Sequence, residues 1–178
     1  MIKLNLGCGP RQIHNYINVD IDPKTNPDRV DDMRTLSTFK ENEVELIYCS
    51  HVLEHFLIKE TVPILKRWYK ILKPGGILRV AVPDMDKVFR HYIYYKDLVK
   101  LHTFLWGSQE DHYQIHKSGW TFDTLKSILM SIGFTEVKRY NWRDLEHHYV
   151  DDHSQGYLPH MDKETGVLMS LNIEAKKI

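Results

Sequence analysis

The sequence opens with Met1-Ile2-Lys3-Leu4-Asn5-Leu6-Gly7-Cys8-Gly9-Pro10, a short apolar strand that runs directly into a glycine-rich turn. The next apolar stretch, Ile17-Asn18-Val19-Asp20-Ile21-Asp22, indicates a second strand that ends in carboxylates. In a parallel sheet, such a turn lets the backbone approach a ligand closely, and such a carboxylate accepts hydrogen bonds from ribose hydroxyls. This stretch therefore predicts a nucleoside-binding α/β domain.

The glycine-rich turn departs from the dinucleotide-binding pattern. That pattern needs a third glycine, where this chain has Gln12, and a helix N-terminus to hold a pyrophosphate. The acid Asp20 also comes far sooner than the roughly 20 residues typical of the pattern. A nicotinamide-dependent oxidoreductase is thus the least favoured alternative, and it predicts tight binding of NAD(H).

Four segments of the chain resemble, in order and spacing, the motifs of class I S-adenosylmethionine (SAM) methyltransferases. They are the opening strand and turn at residues 4–10, the acidic residues 31–34 after a third strand, residues 44–55 with a fourth strand and its turn, and residues 72–80 leading into a fifth strand. The likeness is to the small, type 11-like methyltransferases of bacterial type. It covers residues 1–83 strongly and residues 108–140 more loosely.

The resemblance implies a Rossmann-like, doubly wound and mostly parallel seven-stranded sheet with an antiparallel last strand. It also implies SAM as the cofactor and methyl transfer as the activity. The alternation of strands and helices along the chain agrees with this fold class. The first crossover is trimmed, because only residues 11–16 are available for a helix there.

The resemblance implies that the cofactor-binding residues of this chain are Gly7, Cys8, Gly9, Asp20, Ile21, Asp32, Met33, Ser50 and His51. A side chain at either glycine would collide with the methionine part of the cofactor. Asp20 is the predicted ribose ligand, and Asp32 and Met33 flank the adenine. Ser50 and His51 approach the cofactor through the backbone.

Three positions leave the cofactor site open to other assignments. Asp22 competes with Asp20, although Pro23 after it favours a turn former. Asp31 competes with Asp32 for the adenine side. Asn5 stands where the family usually has an acid, so it can order the turn but makes the network to the cofactor amino group less certain.

Two connecting segments are longer than the minimal sheet requires. Residues 84–118 follow the fifth strand, residues 141–165 connect the last two strands, and both are rich in histidines and aromatic residues. Ligands of an open α/β sheet bind beyond the carboxyl ends of its strands, where both segments start. We therefore expect one domain, residues 1–178, in which the two insertions form a substrate cap. A surface helix and a solvated loop are the alternative.

The catalytic base is predicted near the end of the first insertion. The cofactor supplies the difficult electrophile in methyl transfer, and the protein aligns the acceptor and excludes water. Histidine is the side chain best matched to a proton-accepting role at neutral pH. His116 is the first candidate and His112 the second.

No metal is expected from the sequence. Residues 51–55 fit the H-x-x-E-H pattern of inverted zinc peptidases, but the run follows a strand within the methyltransferase-like series. Glu54 and His55 are therefore interpreted as structural. A histidine- and aspartate-rich cluster at residues 147–153 matches no established ligand spacing, and a solvated loop is favoured there.

Composition limits the partners. Lys+Arg and Asp+Glu both number 24, so no net field recruits nucleic acid or an anionic membrane. Two cysteines cannot build a disulfide framework and indicate a reducing, cytoplasmic compartment. A small-molecule acceptor is expected, with a sugar hydroxyl weakly favoured because some methyltransferases of this type are associated with surface-polysaccharide synthesis. A homo-oligomer stays open, as does a non-catalytic SAM-binding subunit whose cleft another chain closes.

Overall fold

The computed structural model describes residues 1–178, which fold around one seven-stranded sheet. The strands of the chain are β1 (Lys3–Leu6), β2 (Ile17–Asp20), β3 (Arg29–Val30), β4 (Val44–Ser50), β5 (Leu72–Pro83), β6 (Phe134–Arg139), β7 (Tyr157–Leu158), β8 (Val167–Leu168) and β9 (Ser170–Lys177). The order in the sheet is β3-β2-β1-β4-β5-β9-β6, with β9 antiparallel to both neighbours, while β7 and β8 form a separate hairpin. The predicted fold class is confirmed.

Four α-helices accompany the sheet: α1 (Ile58–Ile71), α2 (Met85–Tyr95), α3 (His102–Trp106) and α4 (Phe122–Ile132). The largest core, of 27 buried residues, joins α1 and α4 to the strands, with Trp68 of α1 and Leu129 of α4 fully buried in it. The sequence pattern predicts Thr121 or Asp123 as the N-cap of α4 and Gly133 as its C-terminal stop; in the structure Thr121 caps the helix and Gly133 ends it with a left-handed backbone. None of the helices combines the length and apolar character needed to span a bilayer.

The trimmed crossover between β1 and β2 contains only turns and no helix. The sheet face beside it is covered instead by the second insertion. Leu145 of that insertion is buried with Ile13 and Tyr16 of the crossover and Leu46 and Tyr48 of β4. The insertion thus occupies the place that a crossover helix would otherwise fill, and this holds it near the carboxyl ends of the strands.

Candidate functional site

A cavity of about 550 Å³ opens at the carboxyl ends of β1, β2 and β4. Its size falls within the about 300–1,000 Å³ of typical small-molecule sites. All of the residues predicted to bind the cofactor line it: Gly7, Cys8, Gly9, Asp20, Ile21, Asp32, Met33, Ser50 and His51. The structure therefore brings together, around one space, residues from three of the four motifs and from the end of β2.

The two glycines of the turn are required for different reasons. Both have left-handed backbones, with φ of +65° at Gly7 and +49° at Gly9, a conformation that favours glycine. A Cβ on Gly7 would overlap the Val52 side chain, whereas no atom lies within 4 Å of a Cβ placed on Gly9. Gly7 therefore allows close packing within the protein, and Gly9 leaves open space in the cavity.

Asp20 is built into the glycine-rich turn. The Gly9 N–H donates to its Oδ2 at 2.8 Å, and the Asp22 N–H donates to its Oδ1 at 2.9 Å. A carboxylate oxygen accepts more than one hydrogen bond, so both oxygens keep capacity for a ligand hydroxyl. Asp22 also lines the cavity, but its own Oδ1 accepts the Lys24 N–H at 2.9 Å and caps a short 3₁₀ helix.

The wall of the turn is uncharged at Asn5 and Cys8. Asn5 Nδ2 donates to the Arg11 carbonyl at 3.0 Å and to Asn18 Oδ1 at 2.9 Å, so the amide orders the turn. Burial, reinforced by the charge of Asp20, raises the pKa of the Cys8 thiol to about 11. The thiol is therefore protonated at neutral pH and faces the cavity as a small, weakly polar group.

Asp31 and Asp32 have separate positions. Asp31 is buried and accepts the N–H and hydroxyl of Thr38 at 2.9 and 2.7 Å. Burial acts to raise the Asp31 pKa, but these hydrogen bonds hold it below its ordinary value. Asp32 and Met33 line the cavity instead, and Trp68 of α1 fixes their loop by donating to the Met33 carbonyl at 2.8 Å.

The segment after β4 contains a buried charged cluster. His51 has a left-handed backbone with φ of +53°, and its Nδ1 lies 3.1 Å from Glu54 Oε1. Glu54 is fully buried, and neither of its carboxylate oxygens has a hydrogen-bond partner. Burial acts to raise the Glu54 pKa, but the surrounding histidines, His51 foremost, hold it below its ordinary value. The sequence pattern pointed to this run, although the buried state of its carboxylate depends on chain segments far away.

Only one of the two predicted bases lines the cavity. His112 faces it, together with neighbouring residues 111–114 and Lys117. His116 is not part of the lining: its Nδ1 lies 3.0 Å from the Phe104 carbonyl, and its Nε2 lies 3.9 Å from Glu54 Oε1. Burial lowers the pKa of His116, which keeps the ring neutral. The catalytic roles of both histidines stay predictions.

Both insertions reach the cavity, but through few residues. Of the aromatic and histidine side chains in residues 84–118, only His112 and Tyr113 line it, while the second insertion contributes Asp152 and His153. Tyr48 of β4 positions Asp152 by donating a hydrogen bond of 2.6 Å to its Oδ2. The exposed aromatic residues of α2 lie outside the site.

The cluster at residues 147–153 is partly solvated: His148, Asp151 and His153 are exposed, whereas its two other members are buried. His147 and Asp152 are only 2% and 8% exposed, so the expectation of a solvated loop is wrong at these positions. His147 packs against Tyr48 at a centroid distance of 4.4 Å, and Asp151 pairs with Lys163 at 2.8 Å. The one group of at least three converging metal-ligand side chains in the protein is Glu54, His55 and His116.

The sequence matches one protein-family model. The model, described as a methyltransferase domain, covers residues 4–80, which span β1 through most of β5. No curated protein sequence matches the chain.

Solved structures share the fold of the whole chain. A SAM-dependent methyltransferase from Archaeoglobus fulgidus is similar with a TM-score of 0.63 and 17% identity, covering 98% of this chain and 85% of that chain. A Haloferax volcanii methyltransferase in complex with the Trm112 methyltransferase activator gives 0.59 and 14%, covering 98% and 81%. The Burkholderia thailandensis 1,6-didemethyltoxoflavin-N1-methyltransferase, with bound 1,6-didemethyltoxoflavin and S-adenosylhomocysteine, gives 0.57 and 15%, covering 99% and 70%. At these identities the similarity shows the fold.

Proposed function

Because residues 4–80 match a methyltransferase-domain family model and the whole chain has the fold of SAM-dependent methyltransferases, we propose that the protein is a class I SAM-dependent methyltransferase. It binds SAM in the cavity at the carboxyl ends of β1, β2 and β4 and methylates a small-molecule acceptor, with a sugar hydroxyl as the favoured acceptor group. The observation that carries the proposal is that Gly9 and Asp20 lie side by side in one wall of the cavity. Gly9 leaves space beside a carboxylate that its own N–H orients, at 2.8 Å, and that keeps lone pairs for ribose hydroxyls.

SAM bound here supplies an electrophilic methyl group. Asp20 accepts the ribose hydroxyls, and Asp32 with Met33 flanks the adenine in this proposal. The neutral Cys8 and the backbone of Gly9 border the methionine part. Each of these residues lines the cavity, and the hydrogen bond from Trp68 to the Met33 carbonyl, 2.8 Å long, supports the adenine side from behind.

The acceptor side of the cavity favours a hydroxyl-bearing molecule. It is lined by residues 111–114, Lys117, Asp152 and His153, most of which carry hydrogen-bonding side chains. Tyr113 adds one aromatic ring, which suits stacking on a sugar ring. A lipid-like acceptor would need a mainly apolar wall, and only 6 of the 25 lining residues are hydrophobic.

His112 is the residue that we propose to contact the acceptor and accept its proton. It lies in the cavity wall and on the insertion that borders the acceptor side. A histidine there is suited to general-base catalysis near neutral pH. His112→Gln is expected to lower the rate of methyl transfer while leaving the SAM dissociation constant unchanged.

Isothermal titration of the purified protein with SAM, and separately with NADH, tests the cofactor. We expect SAM to bind and NADH to give no heat. Asp20→Asn should weaken SAM binding at least tenfold, about 1.4 kcal/mol. The matched control Asp22→Asn lines the same cavity two residues away and should weaken it far less.

Radiolabelled methyl transfer to an acceptor library then tests the activity. Methylation of a saccharide by the protein alone would support the proposal. SAM binding without transfer to any acceptor, even in cell extract, would favour the non-catalytic subunit instead. Equal losses in the two aspartate variants would contradict the assignment of Asp20 to the ribose.

A further inference from the structure

The Glu54 carboxylate stands out among the buried groups. It is fully buried and has no hydrogen-bond partner at either oxygen. An unpaired buried carboxylate is strongly unfavourable unless a cation or donor compensates it. His51 Nδ1 lies 3.1 Å from Oε1 without hydrogen-bond geometry, so it compensates the carboxylate only as an ion pair with a protonated ring, and no such contact reaches Oε2.

Two neighbouring histidines have their Nδ1 atoms engaged by backbone carbonyls, and one of them turns its Nε2 toward Glu54. His116 Nδ1 lies 3.0 Å from the Phe104 carbonyl, and His55 Nδ1 lies 3.1 Å from the Ile115 carbonyl. A carbonyl only accepts hydrogen bonds, so both Nδ1 atoms carry the proton. In the neutral ring the other nitrogen, Nε2, then holds a lone pair. His116 Nε2 is 3.9 Å from Glu54 Oε1, so two electron-pair donors face each other with no proton between them.

We propose that Glu54, His55 and His116 bind a divalent first-row transition-metal ion. The ligand atoms of the three side chains lie within 4.8 Å of one another. Two imidazoles and one carboxylate form a donor set typical of Zn²⁺, Fe²⁺, Mn²⁺ and Co²⁺, whereas Mg²⁺ and Ca²⁺ prefer oxygen ligands. Metal–ligand distances of about 2.0–2.2 Å require the three atoms to draw together on binding.

The surrounding backbone prepares the histidines for this role. Hydrogen bonds from Nδ1 to a backbone carbonyl are the usual means by which a protein orients a histidine ligand and fixes its tautomer. The end of the first insertion is also held against the β4 turn, because the N–H groups of Lys117 and Ser118 donate to the Glu54 carbonyl at 2.8 and 3.1 Å. The two halves of the site are therefore joined before any ion binds.

The site borders the cavity, since His51 and His55 both line it. Its catalytic meaning rests on the proposed function, whereas metal binding itself does not. A divalent ion lowers the pKa of a hydroxyl that coordinates it, which would prepare a hydroxyl acceptor for methylation. The sequence disfavoured a metal because the H-x-x-E-H run directly follows a strand within the methyltransferase-like series. The third ligand, His116, comes from a different part of the chain.

Titration of tag-free, chelator-treated protein with Zn²⁺, and in parallel with Mg²⁺, tests the proposal by calorimetry. We expect one Zn²⁺ per chain and at least tenfold weaker binding of Mg²⁺. Co²⁺ should give visible ligand-field absorption with the same stoichiometry. Glu54→Gln keeps the side-chain volume and removes the charge, and His116→Gln removes one ligand; each should weaken Zn²⁺ binding at least tenfold. The control His160→Gln removes an exposed histidine and should change nothing.

Circular dichroism checks that each variant folds, and His116→Gln carries the test if Glu54→Gln does not fold. Equal Zn²⁺ affinity in the wild-type protein, a folded ligand variant and the control would overturn the proposal, because it would locate binding on surface histidines. Calorimetry with SAM separates the two hypotheses. SAM binding without Zn²⁺ binding refutes only the metal site, and Zn²⁺ binding without SAM binding refutes only the proposed function.

Discussion

Alanine at Gly7 and alanine at Gly9 should damage the protein in different ways. Both positions have positive φ, so alanine costs roughly 1–2 kcal/mol of backbone strain at either one. At Gly7 the new methyl group also overlaps the Val52 side chain, and forced overpacking adds about 1–3 kcal/mol. Gly7→Ala should therefore lower the free energy of unfolding by about 2–5 kcal/mol in all.

Gly9→Ala should reduce SAM affinity more than it reduces the stability of the fold. No atom lies within 4 Å of its added methyl group, so only the backbone strain lowers stability. The methyl group projects into space that the proposal assigns to SAM. We expect SAM affinity to fall at least tenfold, about 1.4 kcal/mol.

A double-mutant cycle in urea unfolding isolates the overlap at Gly7. Val52→Ala removes the group that the new methyl meets, so the double variant should recover about 1–3 kcal/mol relative to the sum of the single changes. For a chain of this size, each kcal/mol corresponds to roughly 2–4 °C in Tm, which makes the recovery measurable. A coupling energy near zero would refute the steric explanation. Unchanged SAM affinity in Gly9→Ala would remove that glycine from the cofactor site.

Three further predictions concern the supports of the site and the fold. Trp68→Phe leaves the Met33 carbonyl without its hydrogen-bond donor, so it should lower the free energy of unfolding by about 1–3 kcal/mol and weaken SAM binding. Stability equal to wild type in urea unfolding would contradict the role of this hydrogen bond. Gly107→Ala would place a methyl group on the Gln114 carbonyl and displace the cavity-lining residues 111–114, so methyl transfer should fall while SAM affinity in calorimetry stays within about twofold. Unchanged transfer would show that residues 111–114 do not serve the acceptor. Acid should act in two stages. Burial lowers the pKa of His147, so the unfolded chain takes up that proton first as the pH falls below about 6.5, and stability decreases. Partial burial acts to raise the pKa of Glu146, but hydrogen bonds from Lys3 and Tyr16 hold it low; below about pH 4.3 the unfolded chain takes up the proton while the folded chain keeps its charge, so the stability that Glu146 contributes falls. Urea midpoints should fall less between pH 8 and pH 4 in His147→Gln than in wild type, and an equal fall would contradict the role of His147. Part of the fall remains in the variant because burial also lowers the pKa values of His116 and His153.

The fold could be predicted largely from local signals. Apolar runs placed β1, β2 and β4, of which β1 ends at a glycine and β2 at an acid, and Thr121 and Gly133 marked the ends of α4. The proline after Asp22 pointed to a turn former, and its capping of the 3₁₀ helix is consistent with that. These signals work because each strand end and helix end depends on its own few residues.

Contacts between segments that are distant in sequence could not be predicted from the sequence. Nothing near Gly7 in the chain indicates that Val52 closes over it. Nothing near His116 indicates that its Nδ1 faces the Phe104 carbonyl and its Nε2 faces Glu54. The burial of His147 likewise depends on tyrosines of the crossover and β4. Each of these features arises where segments distant in sequence meet.

The second insertion, which covers the sheet face beside the trimmed crossover, also affects how the chain becomes folded as it is made. All four motifs lie in the first half of the chain, yet Ile13, Tyr16 and Tyr48 are covered by Leu145, and β9 lies between β5 and β6. A nascent chain ending before Leu145 would expose this apolar face. Contacts of such sequence separation form late, so the nucleoside-binding half should become protease-resistant only after the C-terminal segment has left the ribosome. The motif-bearing half is therefore not a unit that gene fusion or recombination could transplant by itself.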